Sequence, residues 1–360
     1  MLHVIHLLGP QAGAGAERDS RLLTAAPGRS FPITVRRIGP RADYRHWATA
    51  AAALRFGSAP TFDLIHVWDT TALFAALVAA VPIVFTVPQP LSLRERRWIR
   101  FASRRHSFHV VTHTAALRDA CLRLGVELER CHVIPPGVDW SRVPSGRDEA
   151  LRQRLGFAPD DFVLLAPGET SCSSGHQQAV WAASILHTLD PRYRLLLWGK
   201  GKSCETIRSL AARLKQPRLL VMGEKHLGGV DFEGLPAAAD AALLAGGDAD
   251  VLAPLAACMA AGLPIVAAET SLPGELLEHE STGIVVAGAK PRQLAAAVLK
   301  LREEHELSRR LGEQARAYAA YHFDPAQFVA YTRRLYWHAG MTGGEPPPAE
   351  IDLPIPPSLS

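Results

Sequence analysis

The sequence lacks the features that mark disulfide-rich, zinc-binding and membrane-spanning proteins. Its five cysteines are odd in number and form no CxxC pair, so we expect neither a disulfide framework nor a zinc site. We expect no other metal and no cofactor. Pro82 interrupts the apolar segment LFAALVAAVPIVFTV, and no apolar run approaches the roughly 20 residues that span a bilayer. The first ten residues, MLHVIHLLGP, lack the basic start and cleavage site of a signal peptide, which favours a first strand and a cytoplasmic protein.

The sequence also lacks the strong positive charge of a nucleic-acid-binding protein. Its formal net charge is +4 and its pI is about 8.9, values that favour anionic partners only mildly. With 48% hydrophobic and 21% charged residues, the composition is that of a globular protein. A chain of 360 residues is long enough for two domains with separate cores, and we expect no nucleic-acid partner.

Short apolar runs alternate with amphipathic segments along the chain, which indicates βαβ units and parallel sheets. The strands predicted in the first half are HVIHLL, ITVRRI, DLIHVW, PIVFTV, FHVVTH and CHVIPP. After a polar stretch the pattern restarts with FVLLAPG, RLLLWG, RLLVMG, AALLAG, PIVAAE and GIVVAG. Two helices are predicted within residues 290–323, and a last one in FVAYTRRLYWH.

This pattern predicts two doubly wound, Rossmann-like α/β domains that face each other across a central cleft. We expect an N-terminal domain at residues 1–145 and a C-terminal domain at residues 146–322. A helix at residues 323–340 is expected to cross back to the N-terminal domain. The tail at residues 341–360 is rich in proline and is expected to be disordered.

Seven motifs follow one another along residues 1–340: AGAGAERD, CHVIPPGVD, LGFAPDDFVLLAPG, LLLWGKGKS, LPAAADAALL, MAAGLPIVA and PGELLEHESTGIVV. In this order they resemble the GT-B glycosyltransferases, specifically the retaining type of family 4. The resemblance implies a GT-B fold and transfer of a sugar from a nucleotide-sugar donor to a glycan or lipid acceptor. It also implies a role in building a cell-envelope or exported glycan.

Several residues fit a donor site of this kind. AGAGAE leaves little side chain at the start of a helix, where backbone N–H groups and the helix dipole attract a phosphate or sugar. Gly13 and Gly15 are the predicted contacts, and a tight turn without a ligand is the alternative. Gly168 in LLAPG is a further donor-side candidate. His66 is another, because it lies near the carboxyl end of a predicted strand.

The residues that the resemblance assigns to the donor phosphates are replaced in this chain. The family carries an Arg and, five residues later, a Lys after the first strand of the second domain. Glu169 and Ser174 stand at these positions in PGETSCSSGH. A carboxylate repels a diphosphate that a guanidinium would bind through two hydrogen bonds. The sequence therefore predicts weak phosphate binding.

Other family positions are altered as well. Ala249 and Ala257 replace two glutamates, eight residues apart, that face the sugar and the ribose in the family. Pro88 replaces a cleft histidine and supplies neither a donor nor a titratable group. Asp248 and Asp250 flank the first alanine, where they either present a carboxylate to the donor or cap a helix.

Lys200 and Lys202 in WGKGKS are the candidates to replace the lost cations, and solvated surface lysines are the alternative. Two interpretations of function stay open. One is a glycosyltransferase with altered donor recognition, and the other is a catalytically impaired relative that acts as a binding or regulatory subunit. A sugar-nucleotide epimerase, the third possibility, fits the motif order less well.

The segment from Arg94 to Arg105 places several arginines around Trp98 and Phe101. Its pattern is typical of a basic helix that contacts anionic lipid at the inner face of a membrane, and a solvated helix with an apolar inner face is the alternative. In FHVVTH, His109 and His113 share strand parity but lie about 13 Å apart, too far to share one metal ion.

Overall fold

The structure is a computed structural model. It describes residues 2–9, 12–26, 32–38, 62–87, 91, 93–105, 107–144, 146–172, 174–198, 201–223, 232–246, 251–269 and 276–340. These residues form two compact units. The first unit comprises the described residues up to 137 and from 324 to 340, and the second comprises those between 138 and 323.

The described residues of the first unit form a parallel sheet of six strands. The strands are β1 (Val4–Leu8), β2 (Ile33–Arg37), β3 (Leu64–Val67), β4 (Ile83–Thr86), β5 (Phe108–Thr112) and β6 (Cys131–Val133). The helices between them are α1 (Ala14–Ala25), α2 (Thr70–Ala76), α3 (Leu93–Ala102) and α4 (Ala115–Arg123). The strand order is β2-β1-β3-β4-β5-β6.

The second unit contains another parallel sheet of six strands in its described part. The strands are β7 (Phe162–Ala166), β8 (Tyr193–Leu197), β9 (Leu220–Met222), β10 (Ala241–Leu244), β11 (Ile265–Ala268) and β12 (Ile284–Val286). The helices are α5 (Glu149–Arg154), α6 (His176–Leu189), α7 (Cys204–Arg213), α8 (Leu252–Ala260), α9 (Pro291–Glu303) and α10 (His305–His322). The strand order is β9-β8-β7-β10-β11-β12.

The last described helix, α11 (Pro325–Gly340), packs in the first unit. Phe328, Leu335 and Tyr336 of this helix join an apolar cluster with residues of β1, β3 and β4. Residues of α2, α3 and α4 form a second cluster with the same sheet. All residues of β1, β3 and β4 are buried, which explains why these strands read as largely apolar runs, each with a single polar residue, instead of alternating ones.

The predicted fold class is confirmed: both sheets are parallel, and each described strand overlaps one of the segments predicted from the sequence. The three helices predicted after residue 290 are present as α9, α10 and α11. The order of the second sheet is that of a Rossmann fold, with its reversal between β7 and β10.

The motif MAAGLPIVA links a buried helix to a buried strand. Helix α8 ends at Ala260, and Gly262, two residues later, has a φ of +73°, a left-handed conformation that favours glycine. A Cβ on Gly312 of α10 would lie 2.2 Å from the carbonyl oxygen of Gly262, so the two backbones are in close contact. All residues of α8 are buried. The small residues of this motif therefore serve close packing.

The motif LPAAADAALL positions a carboxylate that joins three elements. Asp240 accepts hydrogen bonds from Nη1 of Arg152 at 3.1 Å and from the backbone N–H of Val163 at 2.7 Å. Arg152, which is 1% exposed, also donates to the carbonyl oxygens of Ala238 and Asp161 at 2.9 and 2.6 Å. A buried guanidinium with several acceptors is compensated, so this cluster fixes α5 against the sheet.

Candidate functional site

The candidate site of the second unit lies at the carboxyl ends of β7 and β10, where the strand order reverses. Open α/β sheets bind ligands at such a point. The turn after β7 contains Gly168 at φ +92° and Gly175 at φ +75°, conformations that glycine adopts without strain. A Cβ on Gly175 would lie 2.2 Å from the carbonyl carbon of Ala245 and from the backbone nitrogen of Gly246. The two turns are therefore in direct backbone contact.

Ser174, at the position of the family's lysine, uses its side chain inside the turn. It is 6% exposed. Its Oγ donates to the carbonyl oxygen of Ser171 at 2.9 Å and accepts from the Ser171 N–H at 3.1 Å. Nδ1 of His176, the first residue of α6, lies 2.5 Å from the same Oγ. The hydroxyl thus stabilises the turn and the start of α6.

The space between the two turns is a narrow concavity. It encloses about 180 Å³ when open solvent is counted. Its described lining contains neither Lys nor Arg. Glu169, at the position of the family's arginine, is half-buried in the same turn. The described lining residues therefore place no lysine or arginine side chain between these turns.

One predicted donor residue lies in the neighbouring turn, after β8. A Cβ on Gly201 would lie 2.3 Å from the carbonyl oxygen of Thr170, and the Ser203 N–H donates to that oxygen at 3.0 Å. Lys202 lies between Gly201 and Ser203 and is exposed. The turn that carries Lys202 is thus joined to the turn that carries Glu169. Whether the ammonium binds a donor stays a prediction.

The structure places Ala257 in the middle of α8, where it is 1% exposed. The buried position predicts that a family-like glutamate would be destabilising here. The remaining predicted site residues of the second unit and Pro88 of the first lie outside the described residues. They are Pro88, Lys200, Asp248, Ala249 and Asp250.

In the first unit the turns after β1 and β3 meet at the carboxyl end of the sheet. A Cβ on Gly9 would lie 2.3 Å from Oδ2 of Asp69. Oδ1 of Asp69 accepts from the Ala72 N–H at 2.7 Å and caps α2. Gly13 is the N-cap of α1 with an extended backbone (φ −72°, ψ 172°), and Gly15 lies in the first turn of that helix. Their contact with a donor stays a prediction.

His66 lies in a hydrogen-bond network that the sequence did not predict. Nδ1 of His66 lies 2.5 Å from the hydroxyl of Tyr336, and Nε2 lies 2.8 Å from Oγ1 of Thr86. The Tyr336 hydroxyl also lies 2.9 Å from Nε2 of His6, whose Nδ1 lies 2.8 Å from Oγ of Ser20. Contact of His66 with a ligand stays a prediction, and it would require one of these bonds to break.

Burial keeps this network neutral. It lowers the pKa of His6 to about 3. Burial, together with the nearby His6 and His113, lowers the pKa of His66 well below its usual value. Burial also raises the pKa of Tyr336 well above its usual value. The strand register pairs His6 of β1 with His66 of β3. Each of the two strand sequences, VIHLL and LIHV, contains one histidine, and this repetition is the sequence signal that could have indicated the network.

Comparison with known proteins gives the family. The family model described as glycosyl transferases group 1 matches residues 147–318. The model described as glycosyltransferase family 4 matches residues 2–142. The chain belongs to the group 1, family 4 type glycosyltransferases. As the resemblance predicted, the two halves of the chain match the family's models in order.

Two relatives illustrate how far the similarity extends. The putative glycosyltransferase EpsD of Bacillus subtilis is 25% identical to this chain over 59% of the chain's length. The match covers 52% of EpsD, so the chain spans about half of that relative. The glycogen synthase of Mycobacterium tuberculosis is 27% identical over 81% of this chain and 72% of its own length. At these identities the relatives support the family and leave donor and acceptor to be determined.

Among solved structures, Anabaena HepE in complex with UDP and glucose is 20% identical to this chain, with a TM-score of 0.74. The match covers 93% of this chain and 99% of HepE. This likeness supports the GT-B fold class. In the described part of the glycosyltransferase, every helix is too short or too polar to cross a bilayer.

Proposed function

We propose that this chain transfers a sugar from a nucleotide-sugar donor to a glycan or lipid acceptor. The reaction would serve the synthesis of a cell-envelope or exported glycan. We also propose that the donor site binds phosphate weakly. Two halves that match the family in order support the donor class, as does the similarity to HepE, whose structure contains UDP and glucose. The observation that carries the low affinity is the turn after β7, in which Ser174 is bonded within the turn and Glu169 replaces a cation.

A second candidate is a catalytically impaired relative that acts as a binding or regulatory subunit. Group transfer from a nucleotide sugar depends on stabilising the departing diphosphate, which cations do best. Glu169 and Ser174 supply none, and the burial of Ala257 leaves no side chain for the ribose at that position. The two candidates differ in whether turnover is retained.

We expect UDP- and GDP-sugars to bind the wild-type protein with millimolar or weaker dissociation constants, about −4 kcal/mol or less favourable. Glu169→Arg together with Ser174→Lys should tighten binding at least tenfold, because each charge-assisted contact contributes about 1.5–3 kcal/mol. Isothermal titration calorimetry measures both constants, and release of UDP in the presence of acceptor extracts reports turnover.

A matched control, Glu303→Arg with Gln293→Lys, makes the same change in net charge on exposed positions of α9. It should leave nucleotide-sugar binding unchanged. Micromolar binding by the wild-type protein would contradict the proposed low affinity, and Lys202→Ala would then show whether this lysine supplies the cation. Failure of both proteins to bind any nucleotide sugar would contradict the donor class itself.

The membrane contact that we propose for this glycosyltransferase concerns the surface formed by α2 and α3. Trp98 packs against Phe74 and Phe101, with ring centroids 5.0 and 6.1 Å apart. Leu93 and Phe101 are 79% and 55% exposed, which is unusual for large apolar side chains. Exposed arginines on the same segment surround them: Arg96, Arg97, Arg100 and Arg104. Apolar and cationic groups together suit anionic lipid.

We expect the protein to sediment with vesicles that contain anionic lipid and to be released as salt rises, since salt screens exposed charges beyond about 10 Å at 0.1 M. Replacing Arg96, Arg97 and Arg100 with alanine should abolish sedimentation. The control replaces three exposed arginines elsewhere, Arg154, Arg292 and Arg310, and should sediment as the wild type does. Equal binding to neutral vesicles would contradict the electrostatic contact.

A further inference from the structure

Two histidines of adjacent strands lie side by side on one face of the first sheet. His109 is in β5 and His132 is in the edge strand β6, where the register pairs His132 with Val111, two residues after His109. Nδ1 of His109 lies 3.4 Å from Nε2 of His132. The ring centroids are 5.7 Å apart and the planes meet at 25°. Both residues are half-buried, so each keeps part of its surface in solvent.

The separation of the two nitrogens fits a shared metal ion as well as a long hydrogen bond. Hydrogen bonds from N–H donors are usually about 2.7–3.2 Å long, and 3.4 Å lies beyond that range. Two imidazole nitrogens that bind one tetrahedral zinc ion at about 2.0–2.1 Å are themselves about 3.4 Å apart. The observed distance is therefore that of two ligands on one such ion.

The charge of the pair also suits a metal. Burial lowers the pKa of His109 and of His132 to about 4, and each imidazole is neutral at pH 7, the form that ligates metal ions. The titratable neighbours are Arg130, which acts on His109, and His338 of α11, which acts on both. Arg130 pairs with Glu127 at 2.8 Å, which offsets part of its charge. The positive charge of Arg130 opposes a bound cation, which favours modest affinity.

We propose that His109 and His132 form a two-histidine site for a divalent transition-metal ion, with Zn²⁺ as the best match. Within the described residues no three His, Cys, Asp or Glu side chains are arranged to hold a metal ion, so water would complete the coordination. A bound ion would join β6 to β5 and stabilise the edge of the first sheet. The site is independent of the donor site proposed in the second unit.

The test uses the full-length, tag-free chain after removal of metal by a chelator, titrated with ZnCl₂ in a calorimeter. We expect one Zn²⁺ per chain in the micromolar range, with binding at least tenfold weaker in His109→Gln and in His132→Gln. The exposed His305→Gln is the matched control and should bind as the wild type does. Zn²⁺ should raise the melting temperature of the wild type and of His305→Gln but not of His132→Gln, whereas Mg²⁺ should raise none.

Co²⁺ provides a second readout, because its visible absorption differs between tetrahedral and octahedral coordination. The wild type should show the tetrahedral spectrum and lose it on addition of Zn²⁺. Absence of saturable Zn²⁺ binding by the wild type would overturn the proposal and leave a hydrogen-bonded pair. Undiminished binding in both glutamine variants would also overturn it and place the ion at another histidine.

Discussion

Lowering the pH from 6.5 to 5 should destabilise the first unit by several kcal/mol. His6 and His66 are buried and neutral, with the pKa of His6 lowered to about 3 and that of His66 lowered well below its usual value. In the unfolded chain both titrate near their usual pKa of about 6.5. Below that pH the unfolded state binds protons that the folded state excludes, so stability falls as the pH decreases.

Each histidine contributes up to about 1.4 kcal/mol per pH unit, so His6 and His66 together contribute up to about 2.7 kcal/mol per unit. His109 and His132, whose pKa values burial lowers to about 4, add to the slope of the same unit. That loss is large against the free energy of unfolding of a typical domain, which is roughly 5–15 kcal/mol. Urea denaturation at a series of pH values, with EDTA present, measures the slope. The signal should come from the first unit, for which Trp68 beside His66 is a natural fluorophore, since their rings stack at 4.0 Å.

A variant separates this effect from other titrations. His6→Gln should be less stable at pH 7, because Tyr336 and Ser20 lose their imidazole partner. Its slope between pH 6.5 and 5 should nevertheless be smaller than that of the wild type by about 1.4 kcal/mol per unit. The exposed His305→Gln should retain the wild-type slope. A free energy of unfolding that stays constant over this range would show that the histidines are not held neutral.

Ala257→Glu should destabilise the second unit by at least about 3 kcal/mol. Ala257 is 1% exposed in a helix whose residues are all buried, and α8 packs closely on α10. A glutamate there adds volume to a packed core and buries a carboxylate, and helix α8 itself contains no cationic residue that could pair with it. The expected result is a large drop in the urea midpoint of the second unit.

Two companion variants isolate the cause. Ala257→Gln has nearly the same shape without the charge and should lose less stability than Ala257→Glu, with the difference reporting the buried carboxylate. Ala296→Glu places the same residue on an exposed position of α9 and should change stability by less than about 1 kcal/mol. If Ala257→Glu unfolds at the same urea concentration as Ala296→Glu, position 257 faces solvent and a family-like glutamate would be tolerated there.

Much of the fold followed from the sequence because local patterns determine it. Buried parallel strands require continuous apolar runs, and LIHV and IVFT are covered by helices on both faces. The turn after β7 was recognisable from Gly168, because a left-handed backbone favours glycine whatever the surroundings. The sequence also showed that Glu169 and Ser174 stand where the family has an arginine and a lysine, because this depends only on residue identity.

What the sequence determined by itself is the order of strands and helices and the chemical identity of the residues at the family positions. Only the tertiary structure decided what those residues touch. It placed Tyr336 between His6 and His66 and brought His132 to His109, contacts that join residues up to 330 positions apart in the chain. It also showed that the Ser174 hydroxyl bonds within its own turn and that Ala257 is buried in the core. The physical reason is that local backbone preference is encoded by neighbours in sequence, whereas burial and hydrogen-bond partners depend on how separate segments pack.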